Sequence, residues 1–298
     1  MANTGGRMHV LVATDGSHHA RAAEELVSSI EWPSGTRITA IQVQELMPAV
    51  RGLPDAVYLG LYEDARRRID EHLEALAADL SLPGRQVDVR LMQGRPASEI
   101  VDEARRLGAD LIVVGSRGRG AIASTILGSV AAEVIDHAPC PVLVARAPRV
   151  TSIVLAHDGS DGARQAEVVL ASWPPFRDQP IRVVSVVDLA PVAGGLNEGW
   201  LSVDAGTYQA IFDDLRQLHE GYARDAAKRL GARAAGEVRH GFVAQQIVAA
   251  GADAKADLIV VGSRGQTGLA RLLLGSVARS VLLASPVSVL VVRQQVPR

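Results

Sequence analysis

Cysteine is nearly absent from this 298-residue chain, which contains only Cys140. An internal disulfide is therefore excluded, and a reducing cytoplasm is the expected location. The sequence has no apolar run of about 18 residues, so no membrane-spanning helix is expected, and its first residues, MANTGGRMHVLVATDG, do not resemble a signal peptide. The net charge of −2 gives no electrostatic reason to expect binding to nucleic acid or to an anionic membrane.

What the chain does contain is an internal repeat. Its composition, 48% hydrophobic and 21% charged, is that of a chain with buried cores, and its length suggests about two domains. HVLVATDGSHHAR matches SIVLAHDGSDGAR 143 residues later, ADLIVVGSRG occurs twice 147 residues apart, and APCPVLVAR matches SPVSVLVVR at the same offset. A period of about 145 residues is too long for a solenoid and indicates a duplicated domain. We predict one domain at residues 1–147 and a second at 148–298.

Each copy of the repeat alternates strands with helices. Short apolar runs that end at turn residues indicate buried parallel strands. In copy one, strands are predicted at 10–13, 37–43, 86–91, 110–114 and 142–145, and helices at 62–80, 97–107 and 125–136. In copy two, strands are predicted at 153–156, 181–187, 237–240, 257–261 and 289–292, and helices at 208–230, 244–250 and 272–283. This alternation predicts an α/β fold, with two tandem open five-stranded parallel sheets and flanking helices.

Local signals at the helix ends support this assignment. Gly108 and Gly251 follow amphipathic stretches and are predicted to end their helices, because glycine adopts the left-handed conformation of a helix C-terminus. The serine after each Asp-Gly pair, Ser17 or Ser160, is predicted to cap the helix that follows.

Glycine and serine recur at a fixed spacing after the central strand of each copy. The pattern G-x2-G-x9-G-S occupies residues 115–129 and again 262–276, where ligands bind in open α/β sheets. Gly115 and Gly118 permit positive φ and let the backbone approach a phosphate closely. Gly128 and Ser129 open the next helix, whose unsatisfied N–H groups favour an anion. The pattern predicts a phosphate site, although a structural turn kept by duplication is the alternative explanation.

Other phosphate motifs do not fit. No Gly-Lys dipeptide is present, which excludes a P-loop of the GxxxxGK[ST] type. The run from Gly118 to Ala123 matches GxGxxA formally, but copy two has no counterpart, and no acidic residue ends the following strand. We interpret this dinucleotide match as coincidental.

Taken together, the motifs resemble those of tandem universal stress proteins of the ATP-binding type. The resemblance is carried by G-x2-G-x9-G-S in both copies, by Asp-Gly-Ser after the first strand and by the PxPVLV-like last strand, and it spans residues 8–293. It implies a Rossmann-like fold of the adenine nucleotide alpha hydrolase type that binds one ATP per copy. A divalent ion such as Mg²⁺ would be carried on the phosphates, and the physiological role would lie in stress, dormancy or growth-rate signalling.

The resemblance also implies positions for nucleotide contacts. Asp15 and Asp158 are expected on the ribose side, and the backbone at Val43 and Val186 beside adenine. The predicted cofactor-binding set in copy one is Ala13, Asp15, Val43, Gly115, Ser116, Arg117, Gly118, Arg119, Gly120, Gly128, Ser129 and Val130. In copy two it is Ala156, Asp158, Val186, Gly262, Ser263, Arg264, Gly265, Gln266, Gly268, Gly275, Ser276 and Val277.

Several of these residues have a structural explanation as well. Asp15 and Asp158 could serve only their Asp-Gly turns, although their position after a strand in both copies favours binding. Arginines beside the glycines could pair with phosphate or could be solvated.

No catalytic residue is predicted. The chain has no G-x-S-x-G elbow and no HExxH motif, and glycines bind a phosphate without supplying a base. The expected function is a nucleotide-dependent regulator that acts through conformation and binding to unknown protein partners. The first alternative is a slow ATPase or nucleotidyl-transferring enzyme of the same superfamily. The second is an interaction scaffold in which nucleotide is structural.

The last strand of each copy predicts how the copies associate. PVLVAR and VSVLVVR are apolar and are expected at a sheet edge, where an exposed strand invites pairing. We predict that the copies pack through these strands as a pseudo-twofold unit, and the sequence leaves a further homodimer open.

Overall fold

The computed structural model describes residues 7–45, 54–118, 127–188, 205–265 and 274–293. The chain divides into two compact units between Arg149 and Val150. Each unit corresponds to one copy of the sequence repeat, and the two are called copy one and copy two below.

Strands and helices alternate through copy one. They are β1 His9–Thr14, α1 His18–Ser29, β2 Thr36–Gln44, α2 Asp55–Leu80, β3 Arg85–Gln93, α3 Pro96–Leu107, β4 Leu111–Gly115, α4 Ser129–His137 and β5 Val142–Ala145.

Copy two repeats this order and adds a short 3₁₀-helix at Pro174–Phe176. Its other elements are β6 Ile153–Ala156, α5 Asp161–Ser172, β7 Ile181–Val187, α6 Ala205–Leu230, β8 Ala234–His240, α7 Val243–Asp253, β9 Leu258–Gly262, α8 Ser276–Ala284 and β10 Ser288–Val292.

Each copy contains a parallel sheet whose strand order reverses beside its first strand. The order is β3-β2-β1-β4-β5 in copy one and β8-β7-β6-β9-β10 in copy two. The chain moves outward from β1 to β3 and then returns to the other side of β1 as β4. The carboxyl ends of β1 and β4 therefore flank the crevice in which such sheets bind ligands, as do those of β6 and β9. The predicted α/β fold with parallel sheets is confirmed.

The central strands are buried on both faces. Val10, Leu11 and Val12 follow one another in β1 and have no exposed surface. Because successive side chains of a strand point to opposite faces, helices must cover both sides of the sheet. The caps of the first helices follow the prediction, since the side chains of Ser17 and Ser160 each accept an N–H three residues later, at 3.2 Å.

The long helix of copy one begins at Asp55 rather than at the predicted Tyr62. Pro54 occupies its N-cap with extended backbone. The additional turns lie in solvent, and Leu59, for example, is 55% exposed. Because these turns bury no apolar stripe, hydrophobic periodicity does not reveal them.

One of the two helix ends that were predicted at a glycine is wrong. Gly108 ends α3 with φ 61° as predicted, but α7 continues past Gly251 to Asp253, and the left-handed residue that follows it is Lys255, with φ 49°. A Cβ at Gly251 would lie 3.2 Å from the Cδ1 atom of Ile259. Gly251 therefore allows the helix to lie close to β9 and does not end it.

Glu103 makes the stability of copy one depend on pH. Its carboxylate accepts hydrogen bonds from Arg106 at 2.6 Å and from Arg90 at 2.8 Å, and the bonds from Arg106 are the largest cause that lowers its pKa below 4.5. A lowered pKa gives stability that is fully present above the unfolded-state pKa and is lost as the pH falls through the lower, folded-state pKa.

We expect Glu103→Gln to lower the free energy of unfolding by about 1 kcal/mol at pH 7, a modest value because Arg106 is exposed to solvent. The difference between the variant and the wild type should shrink as the pH falls below the unfolded-state pKa and should vanish below the folded-state pKa of Glu103, as measured by urea unfolding at several pH values. A difference that stays constant with pH would contradict this account.

Candidate functional site

The loop after β4 lies beside the start of α4, and the loop after β9 lies beside the start of α8. The N–H of Gly128 donates to the carbonyl of Ser116 at 2.8 Å, and that of Gly275 donates to the carbonyl of Ser263, also at 2.8 Å. A Cβ at Gly128 would lie 3.3 Å from the Cα atom of Arg117. The two segments that the glycine spacing links are thus brought together at the carboxyl end of the sheet.

The helices after these glycines begin later than their patterns predict. The predicted starts, Thr125 and Leu272, lie outside the described residues, and α4 and α8 begin at Ser129 and Ser276. The preceding glycine is an extended N-cap in each, because its N–H bonds to the loop. Neither helix has a side-chain cap or an acidic residue in its first turn. Since the first N–H groups of a helix have no intrahelical partner, these ends suit an anion.

The loop glycines are needed for space and not for positive φ. The four are Gly115, Gly118, Gly262 and Gly265, and none has a left-handed backbone. A Cβ at Gly115 would lie 2.7 Å from the carbonyl oxygen of His19, and one at Gly262 would lie 2.5 Å from the carbonyl carbon of Gly162. Glycine at these two positions lets α1 approach the end of β4 and lets α5 approach the end of β9.

Asp15 serves its own turn and also faces the glycine loop. Its Oδ1 atom accepts the N–H of Ser17 at 3.0 Å, and a Cβ at Gly118 would lie 2.7 Å from its Oδ2 atom. Asp158 has the same two distances to its own serine and glycine in copy two. In each copy, Oδ1 of the aspartate therefore stabilises the turn, while Oδ2 faces the glycine loop. One carboxylate can serve both the turn and a ligand.

Two arginines bring positive charge to the loop of copy one. The Nε atom of Arg117 is buried and has no hydrogen-bond partner among the described residues. Burial, and secondarily the charge of Arg117, lowers the pKa of Arg146 to about 10, so Arg146 remains a cation at neutral pH. Sequence reasoning missed Arg146, although an arginine follows the last strand in both copies, at 146 and 293.

The remaining predicted residues lie at the same edge or outside the described residues. Ala13 and Ala156 are in the first strands, and Val43 and Val186 are near the carboxyl ends of β2 and β7. Arg264 follows β9 as Arg117 follows β4. Val130 and Val277 stand in the first turns of α4 and α8. The predicted residues outside the described ranges are Arg119, Gly120, Gln266 and Gly268.

Across the described residues, no group of three or more histidine, cysteine, aspartate or glutamate side chains could hold a metal ion. None of the helices in the described ranges is long and apolar enough to cross a membrane.

Nearly the whole chain matches the sequence model of one protein family. The sequence model of the universal stress protein family matches residues 6–146 and again residues 150–293. Because the two matches cover nearly all of the chain, it belongs to the universal stress protein family and contains two copies of the family's domain.

Individual relatives agree with this assignment. A universal stress protein of Thermus aquaticus is 38% identical over 139 residues, which are 46% of this chain and 97% of that protein. One of Mycobacterium tuberculosis is 29% identical over 241 residues and covers 78% of each chain. The crystal structure of a universal stress protein from Archaeoglobus fulgidus superposes with a TM-score of 0.66 at 21% identity, covers 96% of this chain and 98% of its own, and shows the shared fold.

Proposed function

We propose that each copy binds one ATP and that the chain is a nucleotide-dependent regulator. The observation that carries the proposal is the joined loop and helix start, held by the Gly128–Ser116 hydrogen bond and repeated in copy two. A helix start beside a glycine-rich loop offers unpaired backbone N–H groups of the first helical turn and the dipole of a helix, and this combination favours phosphate. The first residues of both helices, Ser129 and Ser276, are exposed and can donate a hydroxyl hydrogen bond.

The residues at this edge fit an anionic group. The helix starts have no carboxylate in the first turn, whereas α3 and α5 have Glu99 and Asp161 at that place. A side chain at Gly118 would occupy the space beside Asp15. In copy one, Arg117 and Arg146 add positive charge.

We assign the remaining contacts by the resemblance to ATP-binding family members. Asp15 and Asp158 would accept hydrogen bonds from ribose hydroxyls, and the backbone at Val43 and Val186 would contact adenine. Bound ATP, with Mg²⁺ on its phosphates, would supply binding free energy, and the protein would use it to favour one conformation or partner over another.

We propose binding with slow turnover at most. The glycine loop and the helix start bind a phosphate without supplying a general base. The test is to incubate the chain with MgATP and to measure phosphate release. Steady release that disappears when Asp15 and Asp158 are replaced would favour an ATPase.

ATP is expected to raise the melting temperature. A ligand at about 100 times its dissociation constant stabilises the folded state by about 2.7 kcal/mol per site. We expect saturating MgATP to raise the melting temperature by at least about 4 °C in differential scanning fluorimetry. An equal concentration of MgCl₂ with sodium sulfate is the control for ionic strength, and an equal shift in that control would contradict nucleotide binding.

A further inference from the structure

A buried glutamate lies behind each Asp-Gly turn and has no part in the proposed phosphate contacts. Glu24 on α1 and Glu167 on α5 are 143 residues apart in the sequence, and they are 9% and 6% exposed. Because a buried carboxylate is costly unless it is paired or hydrogen-bonded, its surroundings indicate what it does.

In copy one, the glutamate orients a threonine. The hydroxyl of Thr14 donates to Glu24 Oε1 and accepts the N–H of Gly16 at 3.1 Å. His72 Nε2, from the long helix α2, lies 3.0 Å from the same carboxylate oxygen. Because the hydroxyl has one proton and Glu24 accepts it, a lone pair of Thr14 is left for Gly16. Gly16 has φ 70° and forms the turn next to Asp15.

In copy two, a histidine has the place of the threonine. His157 Nδ1 accepts the N–H of Gly159 at 3.3 Å, so its ring proton is on Nε2. That Nε2 lies 3.3 Å from Glu167 Oε2, outside hydrogen-bond alignment, and has no hydrogen-bond partner among the described residues. Arg229 donates to both oxygens of Glu167, at 2.5 and 2.9 Å, and balances its charge. Burial lowers the pKa of His157, so the ring is neutral near pH 7 and can accept.

The copies thus reach one arrangement with different residues. Thr14 corresponds to His157, and His72 corresponds to Tyr222 at the same level of the long helix. The histidine beside the glutamate is His72 on α2 in copy one and His157, just after β6, in copy two. Both copies retain a carboxylate from the first helix, an acceptor on the residue before the aspartate, and the N–H of the glycine after it.

We propose that Glu24 and Glu167 are positioning residues of the two nucleotide sites. Glu24 acts by accepting the Thr14 hydroxyl proton, and Glu167 acts by its charge, 3.3 Å from His157 Nε2. Each thereby helps to fix the turn from which Asp15 or Asp158 faces the glycine loop. The inference rests on the proposed function, because the orientation of the turn affects binding only if the aspartate contacts the nucleotide.

The test uses chains in which only one site can bind. Ser276→Asp places a carboxylate at the proposed phosphate position of copy two, so titration with MgATP reports on copy one. In this parent, Glu24→Ala is expected to weaken ATP binding about tenfold, the loss of a hydrogen bond to a charged group. Glu24→Gln should recover most of the affinity, because its amide oxygen still accepts the Thr14 hydroxyl.

The readout separates positioning from stability. Dissociation constants are measured by isothermal titration calorimetry at 25 °C, on chains whose folding is checked by circular dichroism. A glutamate that only stabilised the fold would change the melting temperature and leave the dissociation constant of the folded chain unchanged. Thr14→Val keeps the side-chain shape, removes the hydroxyl that accepts the Gly16 N–H and should also weaken ATP binding about tenfold. The inference can therefore be tested even if Glu24→Ala does not fold.

Two failures have different meanings. If the Ser276→Asp parent binds MgATP and neither Glu24→Ala nor Thr14→Val weakens binding, the positioning role is overturned and nucleotide binding stands. If neither the parent nor the wild-type chain binds MgATP, the proposed function is overturned, and the inference with it. The mirror experiment, Glu167→Ala in a Ser129→Asp parent, should weaken binding in copy two by less than about tenfold, because Glu167 faces His157 Nε2 without a hydrogen bond.

Discussion

Replacing both Ser129 and Ser276 with aspartate is expected to abolish ATP binding while the fold is kept. Both serines are exposed first residues of their helices, and an acidic residue there stabilises a helix by about 0.3–1 kcal/mol. A carboxylate beside a phosphate is unfavourable, since two like unit charges 4 Å apart near a protein surface repel by about 4 kcal/mol. We therefore expect the dissociation constant to rise at least about 100-fold at each site.

The matched control adds the same charge elsewhere. Ser98 and Gln245 are exposed residues in the first turns of α3 and α7, outside the glycine motif. Ser98→Asp with Gln245→Glu should leave the affinity for MgATP within about twofold of wild type in calorimetry, because neither residue belongs to the glycine motif. Wild-type affinity in the Ser129→Asp/Ser276→Asp chain would show that the phosphates do not lie at these helix starts.

Gly115→Ala and Gly262→Ala are expected to cause the largest loss of stability among glycine substitutions at the candidate sites. The added Cβ atoms would lie 2.7 Å from the carbonyl oxygen of His19 and 2.5 Å from the carbonyl carbon of Gly162. Both neighbours are helix backbone, which cannot rotate away as a side chain can. We expect each substitution to lower the free energy of unfolding by about 3 kcal/mol, the upper part of the range for overpacking.

Gly60→Ala provides the contrast for this measurement. Gly60 is inside α2, and a Cβ there would have no neighbour within 4 Å. Alanine should stabilise the helix by about 0.5–1 kcal/mol, measured as a shift of the urea midpoint. Equal midpoints for Gly115→Ala and wild type would contradict the close approach of α1. If the clash exists, loss of ATP binding in Gly115→Ala cannot by itself identify a phosphate contact.

The buried strands could be predicted closely because their sequences carry an unambiguous signal. Predictions at 142–145, 153–156 and 181–187 coincide with β5, β6 and β7, since continuous apolar runs ended by turn residues have few other interpretations. The strand predicted at 237–240 extends back to Ala234. Its first residues are Ala-Ala-Gly, which have low strand propensity, so neighbouring strands determine its length.

What the sequence could not supply is the reason for each glycine. Its residue type predicts conformational freedom, but Gly115 and Gly251 are needed because other segments pass close to them, and such approaches depend on tertiary packing. The glutamate contacts were also missed, although a signal existed. Glu24 and Glu167 each follow their Asp-Gly turn by the same number of residues, but Thr14 and His157 differ chemically and concealed their shared role.

The measurement that tests the central claim most directly is the number of adenine nucleotides bound per chain. The purified chain is stripped of nucleotide, saturated with MgATP, separated from free ligand and denatured, and the released nucleotide is quantified by chromatography. Two binding sites predict about two ATP per wild-type chain and about one for either Ser129→Asp or Ser276→Asp. Recovery of ADP would point to hydrolysis, and no recovered nucleotide together with no heat of binding on titration would contradict the account.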